Sequence, residues 1–197
     1  MDETLSYYNQ NADAFVAGTQ NADMSDQYRF FLKYLAPGGK LLDLGCGSGR
    51  DSAYFASQGF QVTAVDGSEE LCRRVWEHYS IDAQCMRFED LSFREEFDAV
   101  WACASLLHVK KGDISQVISK VSGALKPNGI FYASFKYGSN ERVVDGRFFN
   151  DYTEQDLDTL LTDQLILLEY WITEDVRPER SGEKWLNFIA KRKGMLL

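Results

Sequence analysis

The chain has 197 residues, enough for one domain with a sizeable core. Its 45% hydrophobic and 26% charged residues exclude disorder as the main state, and no apolar run approaches the ~20 residues of a membrane helix. A net charge of −9 argues against broad binding to nucleic-acid backbones, and the polar, acidic N-terminus has no signal-peptide features, so a cytoplasmic location is expected.

Tyr7, Tyr8, Phe15 and Val16 stand at helical spacing within residues 3–17, as do Tyr28, Phe31, Leu32 and Leu35 within 25–35. They predict two helices ahead of the first strand, with Phe15 as a core anchor. Residues 40–51, KLLDLGCGSGRD, come next: a short apolar run to Asp43, a glycine turn over 45–49, and a helical pattern over 50–58. Strand, glycine turn and helix bring backbone N–H groups close to a ligand. A dinucleotide fingerprint needs glycine where Arg50 stands, and the Gly-Lys-Ser/Thr of a P-loop is absent. Asp43 would repel a pyrophosphate but can hold an ammonium group. The spacing acidic-x-Gly-x-Gly-x-Gly resembles motif I of class I S-adenosylmethionine-dependent methyltransferases.

Residues 61–65 read as the second strand, ended by Asp66, where a nucleotide-binding α/β unit carries its ribose-binding acid. A carboxylate there can accept both ribose hydroxyls, or cap the following helix, a task Ser68 can also perform. A helix over 68–79 and a third strand over 83–88 follow. Asp90 would accept from an adenine amino group and the Leu91 N–H would meet a ring nitrogen. Residues 97–104 form an almost continuous apolar run, as expected of a strand buried on both faces. That strand leads to Leu107, His108 and Val109 at the far edge of the pocket.

A helix over 113–125, a polar turn over 126–129 and a strand over 130–135 complete a βαβ order that implies a parallel sheet with helices on both faces. Residues 136–152 lose the strand pattern and read as a long functional loop. A helix over 151–162, with Thr153 as N-cap, precedes two strands, 165–173 and 185–191, that form an antiparallel hairpin. The four cysteines, Cys46, Cys72, Cys85 and Cys103, have no metal-ligand spacing, so no metal is expected and the thiols read as reduced and mostly buried.

The resemblance to class I methyltransferases extends through DLGCGSGR, Asp66, EDL at 89–91, LLHV at 106–109 and LKPNG at 125–129. GRDSAYFA, WACASLLHV, SFKYG and GRFF resemble the tellurite-resistance-like subgroup. This implies an α/β fold: a doubly wound, Rossmann-like, seven-stranded and mostly parallel sheet with an antiparallel C-terminal hairpin. A single domain, residues 1–197, would comprise a lid (1–36), a cofactor core (40–135) and an acceptor segment (136–197). The implied cofactor is S-adenosylmethionine, leaving as S-adenosylhomocysteine, held by Asp43, Gly45, Cys46, Gly47, Gly49, Asp66, Gly67, Asp90, Leu91 and Ala104.

His108 is the candidate catalytic base, since imidazole titrates near neutrality, or else a loop histidine that shapes the pocket. Tyr8, Lys136, Arg147, Arg177 and Trp185 are the candidate acceptor contacts. With Arg142 and Arg180 they point to a small, anionic acceptor held by forked hydrogen bonds, unless 177–180 is a solvated hairpin tip paired with Glu179 and Glu183. Rival readings are a methyltransferase acting on tRNA or protein, and a non-catalytic S-adenosylmethionine-binding module. Neither a nucleic-acid nor a membrane partner is expected.

Overall fold

Buried apolar residues lie on both faces of two central strands, leucines in one and Phe97, Ala99, Val100, Trp101 and Ala102 in the other, which is what places them in the middle of a sheet covered on two sides. In the computed structural model, which describes residues 3–161 and 163–194, these are β1 (Lys40–Leu44) and β4 (Phe97–Ala102). Three helices come first: α1 (Glu3–Gln10), α2 (Ala12–Thr19) and α3 (Ser25–Leu32). After β1 follow α4 (Arg50–Ser57), β2 (Gln61–Asp66), α5 (Glu69–Tyr79), β3 (Gln84–Cys85), β4 and α6 (Ile114–Ala124). The chain ends with β5 (Leu125–Lys136), β6 (Glu141–Val144), β7 (Arg147–Asn150), α7 (Leu157–Leu160), β8 (Leu165–Glu174) and β9 (Lys184–Arg192).

The sheet order is β3-β2-β1-β4-β5-β9-β8, parallel except for β9, which runs antiparallel to both β5 and β8. This is the expected seven-stranded, doubly wound arrangement. One face buries Leu42, Leu44, Val100, Phe131 and Phe188 beneath α6 and α7. The other sets Leu41, Trp101, Tyr132 and Ile189 against Tyr28 and Phe31 of α3 and Phe55 of α4. Trp101 stacks on Tyr132 at 3.9 Å between centroids, so an aromatic layer fills the space over the central strands. Among the described residues no helix is long and apolar enough to cross a membrane.

Several local expectations are corrected. The N-terminal stretch is two helices rather than one, because the Asn11 side chain donates to the Tyr7 carbonyl at 2.8 Å and closes α1 there. The third strand is only two residues long, pairing with β2 at Val65–Gln84 and Asp66–Cys85 before a 3₁₀ turn over Phe88–Asp90. Cys85 consequently lies exposed at a sheet edge instead of buried, and Cys103 is half-buried. The segment read as a loop over 136–152 is a β6–β7 hairpin, turned by Asp145 (φ 51°) and Gly146 (φ 76°). An Asp-Gly pair between short apolar runs is a recognised hairpin signal, so VVDGRFF carried the information. The helix expected over 151–162 is a 3₁₀ turn plus the single turn α7, introduced by the predicted Thr153 cap, which exchanges bonds with Asp156. Thr162 lies outside the described residues.

The strand order reverses between β1 and β4, opening a crevice at their C-terminal ends where an α/β sheet binds its ligands. Gly45 stands at that point with φ 79°, and a Cβ built on it would lie 2.3 Å from the Ser105 Cβ. Both the backbone conformation and the space demand glycine. Gly45→Ala should therefore lower the unfolding free energy by more than about 2 kcal/mol in urea denaturation, a loss in the range for overpacking combined with backbone strain.

Candidate functional site

The glycine turn directs its N–H groups into the protein. Gly45 and Cys46 both donate to the Val65 carbonyl, at 2.8 and 3.0 Å, and Gly47 donates to Asp66 Oδ2 at 2.9 Å. These donors are spent on the end of β2, so they offer no cradle for a pyrophosphate. Asp66 also accepts from the Ser68 N–H through Oδ1 at 2.9 Å, while the helix cap on Leu71 comes from Ser68 Oγ. Asp66 thus retains acceptor capacity for a ligand, and burial raises its pKa against the pull of the Ser68, Gly47 and Gly67 N–H groups.

Two cavities meet above this turn and share a wall formed by Tyr8, Phe15, Gly45, Gly47, Ala104 and His108. The first continues over Asp66, Gly67, Phe88 and Glu89. The second, deeper toward β5 and β9, is lined by Arg50, Asp51, Cys103, Ser134, Lys136, Arg147, Phe149, Asp175, Arg177, Arg180 and Trp185, among others. Helices α1 and α2 roof the junction. A Cβ on Gly67 would come within 2.7 Å of Leu5 and one on Gly47 within 3.0 Å of Phe15, so side chains of α1 and α2 sit directly on these glycines. Phe15, read as a core anchor, packs against Leu71 but also faces both cavities.

At the shared wall His108 forms hydrogen bonds through both ring nitrogens. Its Nδ1 lies 2.6 Å from the Phe148 carbonyl, which only accepts, so Nδ1 carries the proton. In the neutral ring Nε2 is then the acceptor, and the Tyr8 hydroxyl donates to it at 2.8 Å. Burial pushes the Tyr8 phenol up to about 12, with Arg147 opposing the shift, so Tyr8 is protonated at neutral pH. Helix α1 and the β6–β7 hairpin are tied together here: the Phe148 N–H donates to Thr4 Oγ1 at 3.0 Å, and the Arg147 guanidinium lies 4.5 Å from the Tyr7 ring centroid.

The expected site residues divide into two groups. Gly45, Cys46, Gly47, Asp66, Gly67, Ala104, His108, Tyr8, Lys136, Arg147, Arg177 and Trp185 all line one or both cavities. Asp43, Gly49, Asp90 and Leu91 line neither. Asp43 is buried behind the turn, its Oδ2 accepting from Ser52 Oγ at 2.5 Å, and Gly49 packs α4 onto Val75 and Tyr79 of α5. Asp90 is exposed; Leu91 buries its side chain in the core and its N–H points to Phe88 O at 3.4 Å. The wall near the 3₁₀ turn is instead Arg87, Phe88 and Glu89, one to three residues earlier, because the third strand ends sooner than its apolar pattern indicates.

Arg177 is not a solvated tip. It grips Asp175 through Nε and Nη2 at 2.8 and 2.7 Å, and Trp185 Nε1 donates to the same carboxylate at 3.1 Å. Burial would raise Asp175, but the Arg177 fork outweighs it and holds the carboxyl below its usual range. Sequence reasoning missed the Arg50–Asp51 pair on the opposite wall. Asp51 accepts from Arg50 Nε (2.7 Å) and Nη2 (3.0 Å), Tyr28 Oη (2.5 Å) and Trp101 Nε1 (2.9 Å). Those donors keep Asp51 ionised despite burial. Nothing local in the sequence announces that convergence, since Tyr28, Asp51 and Trp101 come from three elements.

Residues 42–133 match the family model of a methyltransferase domain. The chain is 35% identical over 100 residues to the ubiquinone biosynthesis O-methyltransferase of Nitrobacter winogradskyi, covering 48% of this chain and 38% of that protein. It spans less than half the length of the first curated relatives it matches. Among solved structures, the 1,6-didemethyltoxoflavin-N1-methyltransferase of Burkholderia thailandensis, holding 1,6-didemethyltoxoflavin and S-adenosylhomocysteine, superposes with a TM-score of 0.76. The identity is 23%, over 96% of this chain and 85% of that one. The [4+2]-cyclase SpnF superposes with a TM-score of 0.75 at 17% identity, over 98% and 97% of the two chains. The fold is therefore that of these proteins, and the superposition by itself fixes no reaction.

Asp43 offers a test of the buried charges around the turn. Burial, then the neighbouring Asp51 charge, push its carboxyl up to about 8. Between the unfolded value near 3.9 and that raised value the folded state holds the extra proton, so this group's contribution to stability falls as pH rises through that window. Asp43→Asn removes the titration. From pH 5 to pH 8 the variant should gain more than about 1 kcal/mol relative to the parent in paired denaturation curves, since a tenfold change in proton affinity is worth about 1.4 kcal/mol.

Proposed function

We propose that this chain is a class I S-adenosylmethionine-dependent methyltransferase acting on a small, anionic molecule. The observation that carries the proposal is the pair of cavities meeting over Gly45 and Gly47, with Asp66 at the far end of one and His108 at the junction. The match of residues 42–133 to a methyltransferase domain supports it. Within the class, the resemblance to the tellurite-resistance-like group belongs to the same proposal, as does the organisation into lid, cofactor core and acceptor segment within one domain.

The residues fit an adenosyl amino acid. Asp66 has acceptor capacity for vicinal ribose hydroxyls, Leu5, Gly67 and Phe88 line the cavity beside it, and the Gly45, Cys46 and Gly47 N–H groups are already engaged. Gly47 and Ala104 would face the middle of the ligand. When bound, the sulfonium supplies an electrophilic methyl group, which an incoming nucleophile takes as the carbon–sulfur bond breaks. The protein's contribution is alignment, which can lower a barrier by roughly 7–11 kcal/mol.

His108 is the base in this scheme. The Nδ1–H bond to Phe148 fixes the tautomer, so Nε2 presents its lone pair to the junction, where the Tyr8 hydroxyl occupies it. An acceptor hydroxyl or ammonium would deliver its proton to Nε2 directly once Tyr8 turns aside, or through the Tyr8 oxygen. Arg147, with its guanidinium against Tyr7 and Phe149, and the Arg177–Asp175–Trp185 wall would orient the anionic acceptor.

Isothermal titration tests the cofactor: S-adenosylhomocysteine should bind one to one, and NAD should not. Asp66→Ala should weaken that binding by more than about 1 kcal/mol, the lower range for losing a charge-assisted hydrogen bond; an unchanged affinity would reduce Asp66 to a brace for the turn. A panel of candidate acceptors followed by S-adenosylhomocysteine release tests the reaction and separates it from cyclase-type or purely binding roles. With the acceptor so identified, His108→Asn should cut kcat by about 10²–10⁴-fold, the usual worth of a general base, with cofactor affinity retained.

A further inference from the structure

Outside the inner cavity lies an open basin between the β6–β7 hairpin and the loop joining β8 to β9. It shares Lys136, Arg147, Phe149 and Arg180 with the inner cavity and adds Arg142 and Lys184 at its rim. Five basic side chains line it against two acidic ones, Asp145 and Glu183, in a chain whose net charge is −9. A local field of that sign on an acidic protein concentrates anions at one place.

The cations are also crowded. Lys136, Arg142 and Arg147 lie 5.9, 5.5 and 5.3 Å from the centroid of a single ring, Phe149. Like charges gathered around one ring repel unless anions neutralise them. Arg142 pairs with Asp151, while Glu183 is shared by Lys136 and, at 3.8 Å, Arg180. Arg147 also lies within hydrogen-bonding reach of the Tyr8 hydroxyl, yet its charge is only weakly paired. Among the described residues its one ion pair is a 3.8 Å approach to Asp145, a side chain 75% exposed, and its own Nε is buried without a hydrogen-bond partner. A buried guanidinium nitrogen on the wall common to basin and inner cavity calls for an oxygen ligand.

We infer that the basin is a subsite for a multiply charged oxyanion, a phosphate monoester or a polycarboxylate, carried by the acceptor at a position remote from its reacting atom. This rests on the reading of the inner cavity as the acceptor site. It makes the acceptor bipartite: a nucleophile beside His108 and an anionic end outside, held by Arg147, Arg180 and Lys184. Glu183 would exchange its hold on Lys136 and Arg180 for the incoming anion.

The test uses the chain saturated with S-adenosylhomocysteine and titrated separately with pyrophosphate and citrate at low salt. One-to-one binding of either is expected, pyrophosphate alone marking a phosphate-bearing acceptor and citrate alone a polycarboxylate. The Arg180→Ala/Lys184→Ala double variant should weaken that binding at least tenfold, while Lys126→Ala, on a distant surface, and the affinity for S-adenosylhomocysteine stay unchanged. Binding of neither anion, or equal binding by the double variant, overturns the subsite. Failure of S-adenosylhomocysteine to bind would sink the methyltransferase reading alone. The anion titrations would then be run on the free chain and would still decide for or against the basin.

Discussion

Asp51 is the group on which the site's architecture depends. Its two oxygens take four donors: two from Arg50 on α4, one from Tyr28 on α3 and one from Trp101 on β4. Arg50 in turn donates to the Thr19 carbonyl at the end of α2. A single buried ion pair therefore ties α2 and α3, the helix after the glycine turn and a central strand. Such pairs contribute less to net stability than to geometry, because removing one partner strands a buried charge at a cost of about 3–5 kcal/mol. Burial, and after it this same charge, raise the pKa of neighbouring Asp43, since two adjacent buried carboxylates do not both ionise readily.

With the N-terminal helices fixed in this way, the crevice at the strand-order reversal becomes two chambers instead of an open groove. The turn's N–H groups close onto Val65 and Asp66, which leaves a slot suited to a sugar and an uncharged ring rather than a diphosphate. The chamber on the other side is bounded by charge that is mostly pre-paired: Arg50 with Asp51, Arg177 with Asp175, Lys136 with Glu183. Against that background the incomplete pairing of Arg147 stands out, and it lies where the inner chamber opens to the basin.

Helix α1 and the β6–β7 hairpin meet across most of the chain's length. Thr4, Tyr7 and Tyr8 touch Phe148, Arg147 and His108, and these contacts close the junction of the two cavities. The parallel core is common to the solved proteins of this fold, which include an N1-methyltransferase and a [4+2]-cyclase. What distinguishes one member from another is carried by such peripheral segments, where the sheet imposes few constraints.

The sequence by itself determined the features that depend on near neighbours. The apolar run, glycine turn and helix over 40–57, the acid at Asp66 closing β2, the Thr153 cap and the C-terminal hairpin all follow from local backbone chemistry, and they appear as read. The Asp-Gly turn of the β6–β7 hairpin was legible too, though short strands without a covered face give weak alternation and the segment reads as a loop. Only the tertiary structure decided which way side chains turn once packed. Asp43 points inward to Ser52, Leu91 fills the core, and Cys85 is exposed because β3 stops after two residues. It also decided the convergence of Tyr8 with His108, one hundred positions apart, and of Tyr28, Asp51 and Trp101. The reason is physical: local patterns fix φ, ψ and capping residue by residue, whereas these contacts are set by how helices seat on the sheet.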